Sequence, residues 1–236
     1  MADEYGSLSE EMDEEFWNER YRSSERIWSG RPNRHLVTEI EGARPGRALD
    51  VGAGEGADAL WLAARGWRVT AVDISSVALD RAAAHAAEAG AGVAERITWL
   101  RADVTRWAPP SPQYELVTVQ YMHLYPNPRA LLFADLAAAV APGGELLVVA
   151  HHPSDLETGV PRPPYPELFY EGDAVTAALT EGSGTCSSTR RVPRNRPSTG
   201  PSTSSTTSWC GRAAGPRSCL LDRPAPATPG RLSPRR

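Results

Sequence analysis

The sequence predicts an α/β fold: a doubly wound, mostly parallel sheet with helices on both faces. Three observations predict it. Five strand-like runs recur between residues 47 and 150, four of them short and rich in Val, Ile and Leu. Helix-length segments lie between most of them, as in parallel sheets covered on both faces. The first run leads straight into a glycine-rich turn and an amphipathic helical pattern, "ALDVGAGEGADALWLA" over residues 48–63. That succession of strand, tight loop and helix presents a helix N-terminus to a ligand.

The elements follow in order. In "LSEEMDEEFWNERYRS" (8–23) Met12, Phe16 or Trp17, and Tyr21 fall at helical spacing, with acids early and arginines late as the helix dipole prefers. "IWSGRPN" (27–33) reads as a loop broken by Gly30 and Pro32, before a short helix at 34–41. Strands are predicted at 47–52, 68–73, 96–101, 115–120 and 145–150, with helices at 56–65, 76–89 and 129–140.

With 236 residues and 41% hydrophobic content, the chain can bury one sizeable core, and a single soluble domain is expected. No apolar run is long enough to span a bilayer, so no membrane partner is expected. The opening "MADEYGSLSEEMDEEF" is acidic where a signal peptide is basic and then apolar, so a cytoplasmic location is expected.

Charge divides the chain near residue 182. All 25 basic residues are arginines; 15 of them share residues 1–182 with 28 of the 29 acids, a formal charge of −13. The tail holds ten arginines and one acid, Asp222, for +9. It also holds all three cysteines, Cys186, Cys210 and Cys219, whose irregular spacing matches no zinc or redox motif.

Gly52, Gly54 and Ala57 satisfy the relaxed dinucleotide fingerprint, and Asp73 ends the second strand where a ribose-binding acid belongs. The loop alone fits NAD or S-adenosylmethionine. Glu55 within the loop is expected to repel a pyrophosphate, and Asp50 at the first strand end calls for a cation. S-adenosylmethionine offers an α-ammonium to Asp50, a carboxylate to backbone N–H groups and a ribose diol to Asp73. Asp103 in "LRADV" can accept from the adenine amino group while Val104 packs on the ring. For Asp50 and Asp73 the alternative is ordinary strand-end capping.

"LDVGAGEG", "VTAVDIS", "RADV", "YELVTVQYMHL" and "VAPGGELLVVAHHP" resemble, in this order, the successive motifs of class I S-adenosylmethionine-dependent methyltransferases, which are Rossmann-like. With "IWSGRPN" in front, the set is similar to the small-molecule branch that includes thiopurine and tellurite-resistance methyltransferases. The resemblance covers roughly residues 12–180. It implies that Asp50, Gly52, Gly54 and Gly56 border the methionine end of the cofactor, Asp73 and Ile74 the ribose, and Asp103 and Val104 the adenine. It implies further that Gln120, Tyr121 and His123 lie where cofactor meets acceptor. It divides the chain into an N-terminal helical lid segment (1–45), the cofactor-binding domain (46–182) and a low-complexity basic tail (183–236).

Methyl transfer needs an aligned nucleophile and a dry site more than a catalytic pair. A soft anion such as a thiol needs no base; an amine or hydroxyl is helped by one. His123 is the candidate base, or else a hydrogen-bonded wall of the pocket. His151 and His152 are adjacent on a strand, so one alone can face the cleft, and no third ligand completes a metal site; no metal is expected. Trp17, Tyr21 and Trp28 either close over the cofactor or anchor the first helix to the sheet. A small-molecule acceptor is expected; the acidic body argues against nucleic acid.

The tail has almost no apolar periodicity and is expected to be disordered. The terminal antiparallel strand pair that the resemblance requires is expected to be missing, leaving the fifth strand as an open edge prone to aggregation. Back-translated with G- or C-ending codons and displaced by two bases, Ser183–Arg190 reads Gly-Asp-Val-Leu-Val-Asp-Ala. Ser205–Arg212 reads Asp-Asp-Val-Val-Val-Arg-Ala in the same frame. The tail is therefore either out of frame from about residue 182 or an arginine-rich arm for nucleic acid.

Overall fold

The computed structural model describes residues 12–157, 165–180, 186–193 and 205–212, the last two segments as backbone. Helices α1 (Glu14–Arg22) and α2 (Arg34–Ile40) precede the alternating part. That part runs β1 (Arg47–Val51), α3 (Ala57–Ala64), β2 (Arg68–Asp73), α4 (Ser76–Glu88), α5 (Ala91–Ala94), β3 (Ile97–Arg101) and β4 (Tyr114–Gln120). It continues through α6 (Pro126–Ala139), β5 (Val140–His151), α7 (Gly172–Thr180), β6 (Cys186–Pro193) and β7 (Ser205–Arg212).

The sheet order is β3-β2-β1-β4-β5-β7-β6. The first five strands are parallel, and β7 pairs antiparallel with both β5 and β6. Connections reverse direction between β1 and β4, so the crevice at their carboxyl ends is the place for a ligand. Apolar side chains fill both faces. Leu49, Val117, Phe133 and Val148 pack on one side, and Leu36, Leu62, Leu116 and Leu147 on the other, as expected of strands buried twice.

The five predicted strands and the main helices form within a few residues of their expected bounds. Two differences have local causes. Helix α6 starts at Pro126 because proline is preorganised for the first helical turn. Strand β5 starts at Val140 because "APGG" forms a bulge between the Tyr114 and Leu116 pairings. A Cβ on Gly144 would meet the carbonyl oxygens of Tyr114 and Ala141 at 2.9 and 3.0 Å, so only glycine permits that approach. Helices α5 and α7 are short and were not predicted.

The expected absence of the terminal strand pair is corrected: β6 and β7 occupy that position beside β5. β5 offers a row of backbone N–H and C=O groups, and an extended segment can satisfy them without apolar side chains. Thr and Val within "CSSTRRVP" and "STTSWCGR" tolerate that conformation. The polar pattern that argued against ordering thus did not prevent pairing. The other residues beyond 180 lie outside those described.

Candidate functional site

The glycine loop between β1 and α3 is tied to β2. Gly52 and Ala53 donate their N–H groups to the Val72 carbonyl at 2.8 and 3.0 Å, and Gly54 donates to Asp73 Oδ2 at 2.8 Å. Gly54 and Gly56 have φ of +53° and +84°, where side chains are disfavoured. Both are also crowded. A Cβ at Gly54 would stand 2.8 Å from Tyr21 Oη, and one at Gly56 would stand 2.8 Å from the Trp99 ring and 2.9 Å from Ala82 Cβ.

Three carboxylates surround this loop. Asp50 is 1% exposed, and its Oδ2 has no hydrogen-bond partner. Burial, with the charges of Asp58 and Asp73 nearby, holds its carboxyl well above the ordinary range. Asp58 accepts the Asn33 N–H at 2.6 Å, and burial pushes it up to about 6. Asp73 accepts from Gly54 and from Ser75 N–H at 2.9 Å, and burial raises it against the pull of those bonds. Asp50 stands in register with Thr118 of β4. Thr118 Oγ1 accepts from Gln120 Nε2 at 2.6 Å, which leaves Gln120 Oε1 buried without a partner. Two acceptors without a donor, one on β1 and one at the end of β4, therefore lie near the switch between these strands. Buried acceptors cost free energy until a donor arrives, and a cationic ammonium fits both.

Glu55 corrects an expectation. Its carboxylate accepts the Ile27 and Trp28 N–H groups at 3.3 and 3.2 Å and pairs with Arg81 at 3.0 Å. It fastens the 27–28 segment to the loop with its charge paired, and so says little against an anionic ligand. The preference for a cationic cofactor rests on Asp50.

The N-terminal segment lies over the loop. Asn18, 4% exposed, accepts from Ser75 Oγ at 2.8 Å and from Val77 N–H at 3.3 Å, which clamps α1 to the start of α4. Tyr21 is buried, its hydroxyl accepts from Trp28 Nε1 at 3.0 Å, and burial, with the Asp73 charge nearby, pushes its hydroxyl pKa up and keeps it protonated. Trp17 is half-buried, 6.4 Å from the Tyr21 ring, whereas Trp28 is 47% exposed. Tyr21 and Trp28 thus sit at the glycine loop itself.

Ile74 is half-buried, and its N–H also bonds Asp73. Val104 packs against the core. Asp103 caps its own turn through Thr105 N–H at 2.9 Å and Thr105 Oγ1 at 2.7 Å, with Arg106 at 3.7 Å. It lies after β3, as expected, already engaged by its neighbours.

Beyond β4 the chain turns sharply. Tyr121 has φ +53°, and its N–H reaches the Val149 carbonyl at 2.6 Å. The Tyr121 ring stacks on His151 at 4.5 Å, His123 stacks on His151 at 5.6 Å, and Phe169 lies 6.2 Å from His123. His151 Nδ1 is 3.2 Å from Asp155 Oδ2, a carboxylate with no exposed surface. His152 turns elsewhere, to Ser154 and to Glu171 at 3.2 Å. Among the described residues, no three His, Cys, Asp or Glu gather as metal ligands.

Two broad clefts open at the opposite, amino end of the strands. Their charges pair with one another, as in Arg47 with Glu115 at 3.2 Å, and ligands of such sheets bind at the carboxyl ends. Sequence reasoning missed Asn18, Asp58, Asp155 and Phe169. A carboxylate four residues after a strand-end histidine was the one available signal.

Residues 48–144 match the family described as "Methyltransferase domain". A curated relative, the ubiquinone biosynthesis O-methyltransferase of Marinobacter nauticus, is 34% identical over 103 residues; the match spans 43% of this chain and 42% of that protein. A structure solved in work on conversion of a disulfide bond into a thioacetal group during echinomycin biosynthesis superposes with a TM-score of 0.67 at 21% identity, over 87% of this chain and 93% of that one. An S-adenosylmethionine-dependent methyltransferase from Mesorhizobium loti gives 0.59 at 17% identity, over 75% of this chain and 95% of that one. Residues 48–144 are therefore similar to a methyltransferase domain, and the chain shares its fold with S-adenosylmethionine-dependent methyltransferases.

Proposed function

We propose that the chain moves a methyl group from S-adenosylmethionine to a small-molecule acceptor, in the cytoplasm. The observation that carries this reading is Asp50: a buried carboxylate at the switch point whose Oδ2 lacks a donor, on a strand paired with the one that ends at Gln120, whose Oε1 also lacks one. Asp50 and Gln120 would hold the cofactor's ammonium, Asp73 its ribose diol, and the loop N–H groups its carboxylate. Ile74, Asp103 and Val104 would border the base. When bound, that cofactor supplies a sulfonium methyl carbon: the acceptor's electron pair forms the new bond, and the carbon–sulfur pair leaves on sulfur, which becomes a neutral thioether. The chain's own part is to orient, to exclude water with Tyr21 and Trp28, and to manage the acceptor's proton. No helix among the described residues is long and apolar enough to cross a membrane, and the body's charge of −13 opposes nucleic acid.

Calorimetric titration with S-adenosylmethionine, with NAD in parallel, tests this. Saturable binding of the first alone is expected, at least tenfold weaker in Asp50→Asn, since a hydrogen bond to a charged group contributes about 1.5–3 kcal/mol. Affinity should rise as pH is raised through about 6, because Asp58 then loses its proton and the ammonium gains a counter-charge. Without cofactor the sign reverses. A carboxyl raised by burial supports folding fully below its unfolded pKa of about 4, and that support is lost as pH climbs through about 6. Binding of NAD alone would overturn the reading.

We also read residues 183–236 as out of frame. The second displaced window, Ser205–Arg212, coincides with β7, and the first overlaps β6. Sequencing the gene decides it: codons that do not encode the two apolar runs in the displaced frame exclude the reading. Salt-dependent RNA binding by the full chain would favour a genuine basic arm.

A further inference from the structure

His151 ends β5 against the Tyr121 and His123 rings, inclined to them by 25° and 19°. The turn that carries Tyr121 and His123 passes the glycine loop, since the methyl of Met122 between them lies 3.0 Å from where a Gly52 Cβ would stand. Asp155, on the short 3-10 turn after β5, has no exposed surface and faces His151 Nδ1 at 3.2 Å, while the His151 side chain keeps 13% of its surface open. A carboxylate buried beside an imidazole fixes its tautomer and stabilises the imidazolium, the arrangement by which a histidine takes a proton. The Tyr121 and His123 rings, both titratable, stack against His151.

On the methyl-transfer reading above, we propose that His151, oriented by Asp155, takes the acceptor's proton, and that the acceptor is a hydroxyl on a planar aromatic ring. The transfer breaks the acceptor O–H bond and forms an N–H bond on His151. The oxygen keeps the electron pair as an oxyanion, and Asp155 balances the imidazolium until solvent removes the proton. A phenol, with a pKa of about 10, lies within roughly 3.5 units of imidazole, whereas a thiol near 8.5 is partly ionised unaided. A thiol acceptor would leave the dyad without a task. The ring wall offers flat apolar faces suited to an aromatic body. Asp155 is a positioning residue, and His123 lines the same wall.

The test uses the full chain, with catechol and thiophenol as acceptors and Asp155→Asn, Asp155→Glu and His151→Gln as variants. Asp155→Asn should lower kcat for catechol about 100-fold with little change in KM and displace the acid limb of its pH profile. The thiophenol rate should stay within about threefold, Asp155→Glu should recover part of the loss, and His151→Gln should behave as Asp155→Asn. Independently of turnover, NMR titration should show the His151 imidazole pKa falling by about one unit in Asp155→Asn. Equal losses for both acceptors, no loss for catechol, or an unmoved His151 titration overturns the proposal. So does a chain that binds S-adenosylmethionine yet methylates neither acceptor. A chain that binds no S-adenosylmethionine instead overturns the reading on which the proposal rests.

Discussion

Asp73→Ala will lower affinity for S-adenosylmethionine by about 100-fold or more in calorimetry. Asp73 accepts from Gly54 and Ser75 N–H groups, at 2.8 and 2.9 Å, and stands where the ribose diol would be held. Truncation removes charged acceptors of which each is worth about 1.5–3 kcal/mol, and it releases the Gly54 N–H, one of the three ties of the glycine loop to β2. Asp73→Asn keeps one carbonyl acceptor and should fall between the two. Wild-type affinity in Asp73→Ala would remove this residue from the cofactor site.

Gly56→Ala will destabilise the fold by about 3 kcal/mol. A non-glycine residue at φ +84° costs about 1–2 kcal/mol. Its Cβ would also collide with Trp99 and with Ala82 Cβ, at 2.8 and 2.9 Å, and such overpacking costs about 1–3 kcal/mol. Ala82 cannot yield without moving α4. In a chain of this size Tm should drop by about 6–12 °C, and cofactor binding should weaken with the loop. An unchanged Tm in a thermal scan would show that the loop relaxes at no cost.

The two predictions rest on residues that differ in how they could be found. Gly56 and Asp73 were legible in the sequence because each sits at a fixed offset from a strand end in a local pattern. Asp155 was not legible. It acts on His151 across a turn whose geometry depends on where β5 ends, and the alternation along the strand says that one histidine faces inward without saying which. His151 pairs with Asp155, while His152 pairs with Glu171. Glu55 shows the same limit in reverse. Read locally it is a repelling charge in the loop; in the fold it is paired with Arg81 and holds the chain at Ile27 and Trp28.

By itself the sequence determined the five parallel strands, the helices between them and the glycine loop at the carboxyl edge, because period and turn chemistry act over a few neighbours. It also determined the candidate cofactor acids, since each ends or follows a strand. Tertiary structure alone decided the clamp of Asn18 on Ser75, the dyad of His151 and Asp155, and the pairing of β6 and β7 beside β5. Those contacts join residues by the satisfaction of buried polar groups and backbone edges, and that demand exists only once the chain has folded.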